Sequence, residues 1–164
     1  MIQSLAQQVR EFIIRPALQI TNLWTESAEI LVYGTGIVES GYNAIVQYGN
    51  PQNSGLGFFQ MESSDFSDLS KWIKFQKTKP ILNNLLAACY YDHLPSDPQS
   101  LVSNIKFAAL MCRLHYLRVP YPLPVASDAH GFAEYHKAYY NSSLGAADIS
   151  KNAILFQDVI DGKL

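Results

Sequence analysis

Residues 34–61 read GTGIVESGYNAIVQYGNPQNSGLGFFQM, and the fold class turns on how that stretch is read. Counting back from Glu39 at helical spacing meets Thr35 and Gly36, then Val32, then Ala28 and Ser27. That stripe of apolar and small residues is one a helix would bury. Glu39 then stands in the last turn, with Gly41 as the stop, because the left-handed residue that closes a helix is usually glycine. A carboxyl held against apolar walls has its charged form disfavoured and its pKa raised. A raised pKa suits a general acid that must still hold a proton near neutrality. The competing reading is a solvated glutamate near a helix end, where most glutamates lie.

Downstream, Tyr42 to Gly57 holds Asn43, Gln47, Asn50, Gln52, Asn53 and Ser54, broken by Gly49, Pro51 and Gly55. Neutral amides and tyrosines bind sugars through uncharged hydrogen bonds and flat apolar faces, although surface loops share this composition. In Gly57-Phe58-Phe59-Gln60, the glycine permits close backbone approach to a ligand. The two phenylalanines anchor the segment in the core, and Gln60 is expected to point back toward Glu39. No second acid lies within the stretch; Glu62 and Asp65 read as a helix start. Glycosidases that use two carboxylates are therefore a poorer match than the substrate-assisted route, in which the sugar's N-acetyl group is the nucleophile.

Glu39-Ser40 followed by Gly57-x-x-Gln60 resembles the motifs of the lysozyme-like lytic transglycosylases, in which the second motif is usually Gly-Leu-Met-Gln. The resemblance implies one glutamate acting as acid and then base on the MurNAc–GlcNAc bond of peptidoglycan, ending in a 1,6-anhydro product. The family's third motif, Ala-Tyr-Asn, is matched by Tyr140-Asn141, with Tyr139 in place of the alanine and Ser142-Ser143 after it. It implies a tyrosine packed near the acid; composition alone equally describes a tyrosine-rich helix end on the core.

The segments IKFAALMCRLHYLRVPYPLP and GFAEYHKAYYNSSLGAAD, with Gly57 through Glu62, resemble a group of tailed-phage virion proteins of lysozyme-like type. Together the similarities cover about residues 34–145. They imply a virion protein that acts at the host cell wall. Glu39 is then the catalytic residue, with Ser40, Gly57, Gln60, Tyr140 and Asn141 on the substrate side. The implied partners are peptidoglycan glycan strands, other virion proteins and further copies of this chain. The alternative from a different class is a non-catalytic virion component, in tail, adaptor or interior, that keeps a lysozyme-like fold.

At 164 residues the chain suits one domain that buries about two-thirds of its unfolded surface. Hydrophobic residues make up 48% and charged ones 16%, which excludes a disordered chain. A net charge of −2 gives no reason to expect nucleic acid, and it lacks the cationic bias that would draw an enzyme to an anionic wall. The opening MIQSLAQQVREFIIRP has no basic region ahead of a long apolar core, so no signal peptide is read. No apolar run approaches the roughly 18 residues of a membrane span.

Cys89 and Cys112 read as small core residues without a disulfide. His93, His115, His130 and His136 lack metal-site spacing, so neither metal nor cofactor is expected. Gly34-Thr35-Gly36 lacks the rest of a nucleotide fingerprint, and no Gly-x-Ser-x-Gly elbow is present.

The rest of the chain reads as helices. Leu5–Arg15 is ended or restarted by Pro16, and 18–38 leads to Glu39. Ser63 or Ser64 caps the run Phe66, Leu69, Trp72, Ile73. Thr78-Lys79-Pro80 opens Ile81 to about Asp92. Residues 98–118 form the cleanest helix, with Leu101, Ile105, Ala108, Ala109 and Cys112 on one face. Pro120, Pro122 and Pro124 impose an extended link. Asp128 or Ser127 caps 131–141, and Ile149, Ala153, Phe156 and Ile160 mark a last helix. The expected class is mainly α, a lysozyme-like helical core with a short loop or β-hairpin around residues 42–60.

Overall fold

The first helix is fixed by a reciprocal cap. The Gln7 N–H donates to the Ser4 hydroxyl, and the Ser4 N–H donates to the Gln7 side chain, which satisfies two donors that have no partner inside the helix. The computed structural model describes residues 3–46, 55–76, 80–141 and 148–164. From Ser4 the chain runs as α1 (Leu5–Val9), a π-helix (Arg10–Ile14) and α2 (Arg15–Ile20). Pro16 carries no N–H, and its ring crowds the preceding turn. The rod widens ahead of the proline instead of stopping, so Pro16 restarts the helix rather than ending it.

The widening has an electrostatic use. The Arg15 N–H bonds the Arg10 carbonyl in the i+5 register of a π turn, which brings the two arginines together over Glu29. Arg10 Nε donates to Glu29 at 2.8 Å, Arg15 through Nε and Nη2 at 2.8 and 2.9 Å, and Trp24 Nε1 at 2.8 Å. The Arg10 guanidinium also lies over the Tyr33 ring at 5.0 Å. Burial works to raise the Glu29 pKa, but the bonds from Arg15, Trp24 and Arg10 outweigh it and hold the carboxyl at about 2.

The expected helix over 18–38 is two. Asn22 takes a left-handed φ of 58°, and Thr25 caps a fresh start by accepting from the Ala28 N–H. Helix α3 (Glu26–Ser40) is buried on every side from Ala28 to Gly36. Two of its residues explain how. A Cβ on Gly34 would strike the Phe156 ring, and one on Gly36 would strike the Tyr42 ring. Glycine inside a helix costs about 1 kcal/mol relative to alanine, and here the missing carbons admit two aromatic side chains that are at most 1% exposed.

After the loop, α4 (Ser63–Phe75) starts from Glu62 as its N-cap residue, not from Ser63 or Ser64, and no side chain caps it. Helix α5 (Ile81–Cys89) starts from Pro80 and ends at Tyr90, which takes a left-handed φ of 58°; Thr78 and Lys79 lie outside the described residues. The helix read over 98–118 breaks at Asn104, whose extended backbone separates α6 (Ser100–Ser103) from α7 (Ile105–Leu117). The Asn104 side chain accepts from the Phe107 N–H and so begins the second piece. Phe107 to Tyr116 are all buried, the pattern of a central helix. Around α7 pack the π-helix, α2, α3, α4, α5 and α6.

Asp128, not Ser127, caps α8 (Ala129–Tyr139) by accepting from the Gly131 N–H. Asp148 caps α9 (Ile149–Ile160), which lies against α8 and α3. Both cysteines are buried and free. The structure is mainly helical, and no described helix is long and apolar enough to cross a membrane. The expected hairpin does not form among the described residues of 42–60. Two isolated antiparallel bridges, Val46 with Leu56 and Leu56 with Met61, stand in its place; Gln47, Asn50, Gln52, Asn53 and Ser54 lie outside the described residues.

Gly34→Ala is expected to lower stability by about 1–3 kcal/mol in urea unfolding despite its better helix propensity; a gain would show that Phe156 yields freely. Glu29 is held below its unfolded pKa, so its contribution is complete above that value and is lost as pH falls toward about 2. Acid titration of stability should show a loss on the order of 3 kcal/mol across that window. Glu29→Gln should flatten the loss, and an unchanged acid slope would remove Glu29 as its source.

Candidate active site

Gly41 ends α3 in the left-handed conformation (φ 58°), its N–H bonded to the Ile37 carbonyl. The stop places Glu39 and Ser40 where α3 leaves the core, as the sequence implied. Ser40 is spent on architecture. Its hydroxyl reaches the Phe58 carbonyl at 2.7 Å and the Gly36 carbonyl at 3.2 Å, and it accepts from the Tyr42 N–H at 3.1 Å. One short side chain thus fastens the Gly57–Gln60 return to the end of the helix.

The return is a tight turn. Gly57 has φ 70°, and a Cβ there would lie 2.5 Å from the Leu101 carbonyl oxygen, so its close approach is to the protein's own backbone. Gly57 was expected on the substrate side and is instead buried. Phe58 and Phe59 are buried as expected and sit at 5.2 and 6.2 Å from the Tyr42 ring. Gln60 takes a left-handed φ of 49°, and its amide Nε2 donates to the Gly57 carbonyl at 2.8 Å. Gln60 closes its own turn instead of reaching across to Glu39.

Helix α8 supplies the other wall. The Tyr140 hydroxyl donates to the Phe59 carbonyl at 2.7 Å, so the Tyr-Asn segment and the glycine-led turn meet. The Tyr140 ring stacks on Tyr116 (5.3 Å, 28°) and on His136 (5.7 Å, 23°), and Tyr116 shares a hydrogen bond of 2.8 Å with Thr35 of α3. Burial, with Cys112, Tyr116 and the Glu39 charge, pushes the Tyr140 phenol well above its ordinary value. Asn141 contributes its N–H to the His136 carbonyl at 3.0 Å.

Glu39 itself meets a residue that motif reasoning passed over. His136 Nε2 lies 2.9 Å from Glu39 Oε1; the imidazole is fully buried, and the glutamate side chain is 18% exposed. The apolar surround expected for Glu39 is thus interrupted by one polar partner. A signal for it existed: His136 is four residues before Tyr140, hence on the same helix face, so a tyrosine near the acid implies a histidine near it.

The structure therefore gathers Glu39, His136, Tyr140 and the Phe58–Gln60 turn at one end of α3, and turns the Ser40, Gly57 and Gln60 groups inward. His115 is hydrogen-bonded at both ring nitrogens, to the Tyr139 carbonyl and Arg118. Burial lowers its pKa. Among the described residues no group of three or more His, Cys, Asp or Glu is placed to hold a metal ion. A partly exposed carboxyl paired with a buried imidazole is a group that can give or take a proton.

Ser40→Ala is expected to cost about 1–2 kcal/mol, and Tyr140→Phe about 1 kcal/mol, by freeing turn carbonyls. Urea unfolding of each variant measures it, and no loss in either would mean that the turn is not pinned by these bonds. No family model, curated protein or solved structure matches the chain, so the functional reading is carried by the residues themselves.

Proposed function

We propose that the chain is a lysozyme-like, virion-associated enzyme of a tailed phage that cleaves the MurNAc–GlcNAc bond of peptidoglycan, with Glu39 as its one catalytic carboxyl. The observation that carries the reading is the placing of Glu39. A buried helix delivers it to the surface, where it keeps 18% exposure beside Tyr140 and the Gly57–Gln60 turn. Glu39 would give its proton to the glycosidic oxygen as the C1–O bond breaks, while the N-acetyl oxygen of the same sugar bonds to C1. The resulting carboxylate would then take a proton from the sugar's own O6 hydroxyl or from water as that oxygen bonds to C1 and the N-acetyl oxygen leaves it, giving the 1,6-anhydro end or a reducing end respectively.

The inward use of Ser40 and Gln60 favours a second reading, a virion component of the same fold that does not cleave. Both side chains satisfy backbone carbonyls of the 57–60 turn, so the substrate contacts that the motif implies would fall to other groups.

Release of fragments from purified peptidoglycan by the wild type and by Glu39→Gln, with ends read by mass, separates the two. The enzyme reading predicts cleavage that falls at least about 100-fold in the variant. A folded wild type that releases nothing from several wall types, or a fully active Glu39→Gln, would leave the scaffold reading.

A further inference from the structure

Resting on the reading of Glu39 as the acid, we propose that His136 is its positioning residue: the Nε2–H of His136 holds Glu39 Oε1, so that the transferred proton travels on Oε2. His136 has no exposed surface, and among the described residues its Nδ1 has no hydrogen-bond partner. A proton on Nδ1 would be a buried donor without an acceptor, at a cost of about 1–3 kcal/mol. It would also turn the Nε2 lone pair toward a carboxyl oxygen. With the proton on Nε2, that nitrogen donates to Oε1 at 2.9 Å, and only a lone pair is left without a partner. The geometry assigns the Nε2–H tautomer.

This donor serves both ionisation states of Glu39. To the carboxylate it is a charge-assisted bond. To the carboxylic acid it is a bond to the carbonyl oxygen, which leaves the acidic hydrogen to Oε2. Oε1 is taken by His136 and the Glu39 side chain keeps 18% exposure, which leaves Oε2 as the oxygen to meet a glycosidic bond. The imidazole cannot turn away readily, because its ring is stacked on Tyr140 and packed 6.4 Å from Phe156. Tyr140 is tied in turn to the Phe59 carbonyl. One chain of contacts thus runs from the glycine-led turn through Tyr140 and His136 to the carboxyl.

Two variants test it on a soluble glycan strand. His136→Phe keeps a stacked ring and removes the donor; His136→Gln places an amide N–H within reach of the same oxygen. Loss of positioning should lower kcat by about 10–100-fold in His136→Phe with KM little changed, since the buried ring does not meet substrate. His136→Gln should recover most of that loss. If wild type cleaves, Glu39→Gln does not, and His136→Phe keeps kcat within about twofold, the positioning role is overturned while the enzyme reading stands. An inert wild type overturns both. Should His136→Phe fail to fold, the imidazole 15N spectrum of the wild type decides. A protonated Nε2 whose signal moves in Glu39→Gln supports the pairing, and a protonated Nδ1 overturns it.

Discussion

The two carbon atoms that Gly34 and Gly36 lack allow the middle of α3 to be packed from opposite partners, Phe156 of α9 and Tyr42 of the following loop. Much else follows from that closeness. Because α9 lies on α3 and also on α8, the helix bearing His136 and Tyr140 is brought beside the helix bearing Glu39. Because Tyr42 lies on α3, the chain turns sharply after Gly41, and Ser40 can catch the Phe58 carbonyl. A larger residue at either glycine would press on the layer that sets the carboxyl's surroundings. The helix is anchored at its other end by Glu29, whose buried charge is balanced by Arg10, Arg15 and Trp24. A buried carboxylate is tolerated only when so paired, and the π turn is the local distortion that brings both arginines to it.

The same constraint divides the polar groups at this end of the molecule by task. Ser40, Gln60 and the Tyr140 hydroxyl all satisfy backbone carbonyls of the 57–60 turn or the helix end. Their hydrogen bonds are committed to holding shape. Glu39 differs, because among the described residues its side chain is paired only with a buried histidine, while part of it faces solvent. On the proposed reading a carboxyl held in place by a packed histidine would gain from geometry set in advance.

How far the sequence alone reaches is seen in particular residues. The Gly41 stop, a cap at Ser127 or Asp128 and the buried Phe58-Phe59 pair were legible because each is a local matter of backbone conformation or hydropathy. The break at Asn104 was not, since Ser-Asn inside an apolar stripe reads equally as helix surface or as a cap. The turns at Asn22, Gln60 and Tyr90 place side-chain-bearing residues at positive φ, where glycine would have announced the turn. Gln60 was expected to face Glu39 from its motif position, and its left-handed backbone instead lets the amide close on Gly57. His136 meets Glu39 across 97 residues of chain, and only its four-residue spacing from Tyr140 hinted at the pairing.

The central claim is that the end of α3 is a saccharide site. The most direct measurement is a titration of the 15N-labelled protein with a chitin trisaccharide, followed residue by residue through amide shifts. A saccharide site there predicts movements concentrated at 36–46, 57–61 and 136–141, with Glu39 and Tyr140 among the largest. Shifts confined to another face, such as the apolar groove between Thr21, Ile81 and Leu114, or no shifts at millimolar sugar, would contradict it.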